Sequence, residues 1–244
     1  MDSKTYIITG SNGEIGIAIC KHLCDLGHRV LAVTRRPHDF TGVLANRPIN
    51  VVVPQIYDEK LVHDVFVQLA REGEKVDGMV YGAAIFHRFN NLLEISAAEW
   101  EEVFRVNVLG AFIWARALSE SLKARHVPGA IVNITSQAAF TGGYGGVVPY
   151  ASSKGALTTM TRSLARELAS HEIRVNAIAP GFIETDAMRG TLDEQKLAAF
   201  HTRVPMRRFG TVDEVAKAVE FLLSDASNYI TGATLDVTGG QLMH

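Results

Sequence analysis

Tyr150 and Lys154 stand four residues apart in a segment whose composition predicts a helix. Residues at this spacing lie on the same face of a helix, one turn apart. A free phenol titrates at about pH 10, too high for proton transfer near neutrality, and a neighbouring ammonium favours its ionised form. The pair therefore predicts a tyrosine that acts as a general acid/base. Because the chain has six tyrosines, an exposed helical pair without chemistry is the alternative interpretation.

Two other polar residues complete a candidate catalytic set. Ser136 follows the apolar segment 131–135, at the strand end where parallel sheets bind their ligands. Its hydroxyl is placed to hydrogen-bond a reacting oxygen beside Tyr150, and the alternative is a serine that starts a turn. Asn107 lies in an apolar helical stretch, where a buried amide needs partners. A helix kink that holds a water would supply them, and a purely structural role is the alternative.

Short apolar segments alternate with longer amphipathic ones, which indicates buried parallel strands separated by helices. This pattern predicts an α/β fold with a single doubly wound parallel sheet of the Rossmann type, of about seven strands, with helices on both faces. The predicted strands are Thr5–Thr9, Val30–Thr34, Ile49–Val53, Gly78–Gly82, Ala130–Thr135, Arg174–Ile178 and Thr234–Val237. The predicted helices are Ile15–Leu26, Glu59–Glu72, Glu99–Leu122, Tyr150–Ala169 and Val212–Leu223.

The chain of 244 residues shows no linker, no internal repeat and no shift in composition, so residues 1–244 are predicted to form one domain. Within it, residues 185–207 are predicted to be a mobile helical lid over the substrate. An apolar pocket is predicted near this lid, and ordinary core packing is the alternative for each of its residues. These residues are Phe140, Tyr144, Phe182 and Met188, with His87 as a further residue that either faces the pocket or lies in solvent.

The first predicted strand is followed by a turn that contains Gly10, Gly13 and Gly16. Glycines at a strand–helix turn let the backbone approach a pyrophosphate, whose charge the helix N-terminus favours. This signal is weak alone, because such turns are common in α/β proteins. Glu14 in the first helical turn suits the helix dipole, but it would repel a pyrophosphate unless its side chain points to solvent.

The second predicted strand ends in Thr34 and Arg35, with no acidic residue before Asp39. Enzymes of this architecture that use NAD place an acidic residue here, against the ribose 2′-hydroxyl. Arg35, with Thr34 beside it, would instead form charge-assisted bonds to a 2′-phosphate. The sequence therefore predicts NADP(H), with NAD(H) not excluded, and an arginine in solvent is the alternative.

These features together resemble the classical short-chain dehydrogenase/reductase family, most closely its 3-oxoacyl-(acyl-carrier-protein) reductase-like branch. The glycine turn is similar to the family's Thr-Gly-x-x-x-Gly-x-Gly, with Glu14 at the position of the middle glycine. Gln55 stands where the family has an Asp that binds adenine. The segment Tyr81-Gly82-Ala83-Ala84 stands where the family has Asn-Asn-Ala-Gly. Residues 180–185 resemble Pro-Gly-x-x-x-Thr, which meets the nicotinamide. The implied cofactor residues are Gly10, Ser11, Asn12, Glu14, Ile15, Thr34, Arg35, Gln55, Ile56, Tyr81, Gly82, Ala83, Tyr150, Lys154, Pro180, Ile183 and Thr185.

Asn107, Ser136, Tyr150 and Lys154 match the family's Asn–Ser–Tyr–Lys tetrad, with one residue more than expected between Ser136 and Tyr150. The resemblance implies an oxidoreductase that moves a hydride between the nicotinamide and a carbonyl or secondary alcohol carbon. Tyr150 would transfer the proton, Lys154 would lower its pKa, and Asn107 would anchor a water. The resemblance also implies a homotetramer, with contacts at Glu99–Leu122 and Tyr150–Ala169. Because cofactor landmarks are altered, a non-catalytic dinucleotide-binding sensor or scaffold is the alternative.

Composition argues against other classes of protein. The net charge of −2, without a basic run, predicts no nucleic-acid partner, and no apolar run is long enough to span a membrane. The N-terminus leads directly into a strand-like segment, so the expected location is the cytoplasm. The nine histidines form no metal-ligand pattern, so no metal is expected. Cys20 and Cys24 are expected to be buried thiols rather than a disulfide.

Overall fold

Seven parallel strands form one sheet in the order β3-β2-β1-β4-β5-β6-β7. The computed structural model describes residues 3–37, 40, 49–185 and 202–243. The predicted Rossmann-type architecture is confirmed, since the order reverses between β1 and β4, as in a doubly wound sheet. The strands are β1 Thr5–Thr9, β2 Arg29–Thr34, β3 Ile49–Val52, β4 Gly78–Tyr81, β5 Gly129–Ile134, β6 Ile173–Pro180 and β7 Thr234–Val237.

Helices cover both faces of the sheet. They are α1 Glu14–Asp25, α2 Glu59–Arg71, α3 Ala97–Phe104, α4 Ala111–Arg125, α5 Ala138–Thr141, α6 Val148–Leu168 and α7 Val212–Leu223. Short 3₁₀ turns lie at Leu92–Glu94, Ala169–His171 and Asp225–Ser227. Among the described residues, no helix is long and apolar enough to cross a membrane.

Two apolar layers hold the helices against the sheet. Ile7 and Ile8 are both fully buried but face opposite sides, because successive side chains of a strand alternate. Ile8 packs in the layer that contains α1 and α7, and Ile7 in the layer that contains α4 and α6. Each central strand is therefore apolar on both sides, which explains the continuous apolar segments in the sequence. Both cysteines are buried free thiols, as expected, and belong to the first layer.

Local capping defines where several helices begin. Ser96 and Glu99 form a reciprocal capping box at α3, and Thr211 and Glu214 form another at α7. The Asp58 side chain accepts a bond from the Leu61 N–H at the start of α2. These polar contacts fix the beginnings of α2, α3 and α7.

The long predicted helix at Glu99–Leu122 is interrupted. Its observed counterpart runs from Ala97 to Arg125, with a π-helical segment at Arg105–Gly110 between α3 and α4. Such segments occur often at functional sites. Most of the predicted lid, including Met188, lies outside the described residues; of residues 185–207 the structure describes Thr185 and 202–207.

Candidate active site

A cleft of about 300 Å³ opens beyond the carboxyl ends of the central strands. This is the edge where ligands of doubly wound sheets bind. It is lined by Ile15, Gly82, Ala84, Ile134, Thr135, Ser136, Tyr150, Lys154, Pro180, Gly181, Phe182, Ile183 and Thr185. Nine of the residues predicted from the sequence meet in this cleft, from the first helix, from the ends of β4, β5 and β6, and from α6. They are Ile15, Gly82, Ser136, Tyr150, Lys154, Pro180, Phe182, Ile183 and Thr185.

Tyr150 lies in the first turn of α6 and is half-buried in this cleft. Burial raises the pKa of its hydroxyl above the ordinary value, and a hydrogen bond with the Ser136 side chain opposes that rise. The extra residue between Ser136 and Tyr150 therefore does not separate the two hydroxyls. It is accommodated in a loop where Gly142, Gly143, Gly145 and Gly146 all have positive φ.

Lys154 lies one turn further along α6 and is 2% exposed. Its Nζ donates a hydrogen bond to the Ile134 carbonyl at 2.7 Å and lies 5.6 Å from the centre of the Tyr150 ring. Burial lowers the pKa of Lys154 to about 7. In the polypeptide alone, burial is the larger cause of the shifted Tyr150 pKa and the Ser136 hydrogen bond opposes it. That Lys154 lowers the pKa of Tyr150 stays a prediction.

Asn107 lies inside the π-helical segment and is fully buried. Its Oδ1 accepts from the Ile85 N–H at 2.7 Å, and its Nδ2 donates to the Ile85 carbonyl at 3.1 Å and to the Ser153 Oγ at 2.9 Å. Ser153 Oγ in turn donates to the Tyr150 carbonyl at 2.7 Å. The helix irregularity expected at Asn107 is confirmed, but the protein itself supplies partners to this amide, so no water is needed to satisfy it.

Replacing Asn107 with alanine is expected to lower the free energy of unfolding by about 1–3 kcal/mol, because it leaves buried polar groups of Ile85 without partners. Urea denaturation followed by circular dichroism measures this loss. Asn228→Ala is the control, since Asn228 is exposed. An Asn107→Ala loss no larger than that of the control would contradict the bridging role.

The backbone of the turn between β1 and α1 packs closely against the backbone that follows β4. Gly10 has φ +68°, and a Cβ at this position would lie 2.7 Å from the Gly82 and Ala83 backbone. Thr9 Oγ1 accepts from the N–H groups of both residues, at 3.1 and 3.2 Å. The Thr9 hydroxyl therefore fixes the backbone after β4, in the segment where the family has two asparagines. Thr9 was missed as a site residue, although it stands directly before the glycine of the recognised motif.

The N-terminus of α1 faces the same edge of the sheet. Gly13 caps the helix without a side-chain hydrogen bond, and Asn12 is exposed, so the helix offers its backbone N–H groups. Glu14 is the first helical residue and is half-buried. Ser11 is fully buried, and its Oγ donates to the Val33 carbonyl at 3.0 Å. Ser11 was expected to meet the cofactor, but its hydroxyl instead ties the turn to β2.

The end of β2 carries the residues predicted to select the cofactor. Thr34 is buried, and its Oγ1 has no hydrogen-bond partner in the part of the chain that the structure describes. Arg35 follows it and is exposed. A buried hydroxyl without a partner beside an exposed guanidinium fits an anionic ligand at this strand end.

On the side predicted to bind adenine, the side chains differ in placement. Gln55 is exposed, whereas Ile56 is buried in the core and its carbonyl accepts from Trp114 Nε1 at 3.0 Å. Tyr81 is fully buried and donates its hydroxyl to the Val106 carbonyl at 2.6 Å. A cofactor contact by the Tyr81 side chain was wrong, because this ring packs beneath the π-helical segment. Tyr81 belongs to the apolar layer that contains α4 and α6.

Aromatic side chains surround the outer part of the cleft. The Tyr144 ring lies 5.6 Å from that of Phe182, which lies 6.1 Å from Phe209. Phe86 is 54% exposed, and its ring meets that of Tyr150 edge-on at 4.9 Å. Phe86 was not predicted, because an isolated aromatic after β4 gives no signal in the sequence. Phe140 is half-buried, and His87 lies beside Phe89.

The sheet order and this cleft together define a Rossmann-type α/β protein with polar side chains gathered at the ligand-binding edge. Residues 10–241 match the family described as Enoyl-(Acyl carrier protein) reductase. The chain therefore belongs to the short-chain dehydrogenase/reductase family of oxidoreductases.

Several known proteins are similar to this chain over nearly their whole length. The chain is 36% identical to a 3-oxoacyl-[acyl-carrier-protein] reductase of Aquifex aeolicus, covering 98% of each. It is 34% identical to an L-xylulose reductase of Caenorhabditis elegans, covering 97% of this chain and 95% of that protein. A solved structure of a putative 2-deoxy-D-gluconate 3-dehydrogenase from Agrobacterium tumefaciens, with bound NADP, is 32% identical, with a TM-score of 0.90 over 99% of this chain and 97% of that one.

Proposed function

We propose that this protein is an NADP(H)-dependent oxidoreductase that interconverts a small-molecule carbonyl compound and its alcohol, with Tyr150 as the general acid/base. One observation carries the proposal: Ser136, Tyr150 and Lys154 line the same cleft. Gly82 at the end of β4 and the segment after β6 line that cleft too. Similarity to oxidoreductases along the whole chain supports the same chemistry. When bound, the nicotinamide supplies or accepts the hydride.

The residues present fit a dinucleotide. The α1 N-terminus and the turn at Gly10 suit a pyrophosphate, because backbone N–H groups there lack side-chain caps. Thr34 Oγ1 and Arg35 suit a 2′-phosphate, since one is a buried hydroxyl without a partner in the described chain and the other a cation at the same strand end. Pro180, Ile183 and Thr185 would hold the nicotinamide side. NADP bound to a similar structure supports the choice of cofactor.

The raised pKa of Tyr150 keeps its hydroxyl protonated at neutral pH. A neutral phenol is the form that donates a proton to a carbonyl oxygen, so the site suits reduction near neutrality. Ser136 would hold the same oxygen against the phenol. Lys154, with a pKa of about 7, readily gives or takes a proton at neutral pH. Reduction is the proposed working direction, in keeping with the proposed use of NADP(H).

A coenzyme-oxidation assay tests the function. NADPH and NADH are each incubated with the protein and a panel of ketones and aldehydes, and absorbance at the nicotinamide band is followed. Turnover of any carbonyl compound supports the proposal. Binding of the coenzyme without turnover of any member of the panel would favour a sensor or scaffold instead.

Replacing Arg35 with alanine is expected to raise the dissociation constant for NADPH by about tenfold, because a charge-assisted bond to the 2′-phosphate is lost. The dissociation constant for NADH should change little, since NADH lacks that phosphate. Fluorescence titration with both coenzymes measures the difference. Arg71→Ala is the control, because Arg71 is an exposed arginine at the end of α2. Equal weakening of both coenzymes by Arg35→Ala would contradict the assignment.

We also propose that the chain forms a homo-oligomer, a tetramer by resemblance to the family. Trp100, Leu109 and Phe112 are exposed on the α3–α4 run, and Met160 of α6 lies beside them. This apolar surface coincides with the segments predicted as subunit contacts, and apolar surface of this kind favours association. A second copy of the chain is the proposed partner.

A further inference from the structure

Phe86 is a large apolar side chain that is exposed beside the proposed acid. It is 54% exposed, and its ring meets that of Tyr150 edge-on, with 4.9 Å between the ring centres and 83° between the ring planes. Aromatic rings at this distance and angle are in direct contact. Single exposed apolar side chains are common on protein surfaces, but this one touches the residue that is proposed to transfer the proton, so it is placed to contact a ligand.

The segment that carries Phe86 is fixed on both sides of this residue. The N–H and the carbonyl of Ile85 bond to the Asn107 amide at 2.7 and 3.1 Å. The Phe89 N–H donates to the Gly146 carbonyl at 2.9 Å, and a Cβ on Gly146 would collide with the Phe89 carbonyl. The exposed position of Phe86 is therefore set by the packing of its neighbours.

A substrate of the proposed reaction comes within reach of this ring. Its carbonyl oxygen has to lie within hydrogen-bond distance of the Tyr150 hydroxyl. Ala84, two residues before Phe86, lines the cleft together with Tyr150. Because the Phe86 ring contacts the Tyr150 ring, its exposed part is within reach of a group attached to that carbonyl. An apolar group in this place removes part of the Phe86 surface from water, which favours binding.

A second aromatic ring lies across the cleft. Phe182 lines the cleft, and the Tyr144 ring lies 5.6 Å from the Phe182 ring. Phe86 follows β4 and Phe182 follows β6, while β5, which leads to Ser136, lies between these two strands. Aromatic side chains therefore follow both strands that flank the one leading to Ser136.

Building on the proposed function, we propose that Phe86 determines substrate specificity and that the substrate carries an aromatic ring next to its reacting carbonyl group, packed against Phe86. An aryl group gains an edge-to-face or offset contact in addition to the burial of apolar surface. A saturated ring gains only the burial, and a short alkyl group gains little of either. Reduction of an aryl ketone therefore depends most strongly on Phe86.

The experiment uses three methyl ketones that differ in one substituent. Methyl phenyl ketone, cyclohexyl methyl ketone and butanone are each assayed with NADPH and NADH, using the unaltered protein, Phe86→Ala and Phe86→Leu. In the unaltered protein we expect a higher kcat/KM for the phenyl ketone than for butanone. Phe86→Ala should lower kcat/KM for the phenyl ketone about tenfold more than that for butanone, because both the aromatic contact and the apolar burial are lost. Phe86→Leu keeps apolar surface, so it should affect the phenyl ketone more than the cyclohexyl ketone.

Phe221→Ala is the matched control, because Phe221 is an exposed phenylalanine on α7. It should leave the ratio of kcat/KM for the phenyl ketone to that for butanone as it is. Circular dichroism checks that each variant is folded. The comparison of ketones in the unaltered protein holds even where a variant does not fold.

Three results overturn the inference and leave the proposed function intact. An equal decrease for all three ketones in Phe86→Ala would show that Phe86 acts only through the position of Tyr150. No change for any ketone would show that Phe86 meets no substrate. Turnover of butanone or of another carbonyl compound, but not of the phenyl ketone, by the unaltered protein would exclude an aryl substrate. Oxidation of neither coenzyme by any carbonyl compound overturns the proposed function as well.

Discussion

Replacing Tyr150 with phenylalanine is expected to lower kcat for carbonyl reduction by about 10²–10⁴-fold, the usual contribution of a positioned general acid. Only the hydroxyl is removed, so the ring keeps its edge-on contact with Phe86. The dissociation constant for NADPH should stay within about twofold, since loss of one neutral hydrogen bond has a small effect. Steady-state kinetics and a fluorescence titration on the same preparation measure both quantities.

Tyr229→Phe is the matched control for this experiment. Tyr229 is fully exposed, near the opposite end of the sheet, so its hydroxyl has no part in the proposed chemistry. It should retain the activity of the unaltered protein. If Tyr150→Phe kept more than about a tenth of the activity, a general-acid role for the phenol would be untenable.

Replacing Lys154 with methionine is expected to change how stability depends on pH. The folded-state pKa of Lys154 is lowered by burial from 10.5 to about 7. Between those values the unfolded chain holds a proton that the folded chain has released, so the free energy of unfolding rises with pH. Lys154 adds up to about 1.4 kcal/mol per pH unit to the slope of the free energy of unfolding against pH above pH 7, and it adds nothing to that slope well below pH 7. Methionine does not titrate, so the variant lacks this slope.

Urea denaturation at pH 6, 7, 7.75 and 8.5 measures the effect. Over this range the unaltered protein should gain stability relative to Lys154→Met, with the difference growing above pH 7. Lys217→Met is the control, because Lys217 is exposed on α7 and should leave the pH dependence as it is. Parallel pH profiles for the unaltered protein and Lys154→Met would show that Lys154 is not held near neutrality by burial.

The two experiments test the Tyr150 phenol and the Lys154 amine, which lie side by side in the cleft. A buried phenol with a raised pKa and a buried amine with a lowered pKa both tend toward their neutral forms. The site therefore holds an acid that is protonated at neutral pH beside an amine that is ready to exchange a proton. Burial is the first cause of both shifts, and the neutral phenol is the form that the proposed proton donation requires.

The sequence by itself determined the architecture, because buried strands and amphipathic helices leave periodic patterns that local chemistry produces. Strands β1 and β7 have the bounds that the sequence predicts, and α3 and α7 begin directly after their capping residues. Motif and spacing also singled out the four residues that we propose for catalysis. Three of them line one cleft, while Asn107 bonds to Ile85 and Ser153 behind it.

Only the tertiary structure decided how each of these groups behaves. The direction of the Tyr150 pKa, the burial of Lys154 and the inward packing of Tyr81 depend on which distant segments cover them. The role of Thr9 and the edge-on packing of Phe86 against Tyr150 depend likewise on contacts between segments far apart in the chain. Spacing along one element specifies which face a side chain occupies, whereas burial and hydrogen-bond partners come from segments that meet only when the sheet has formed.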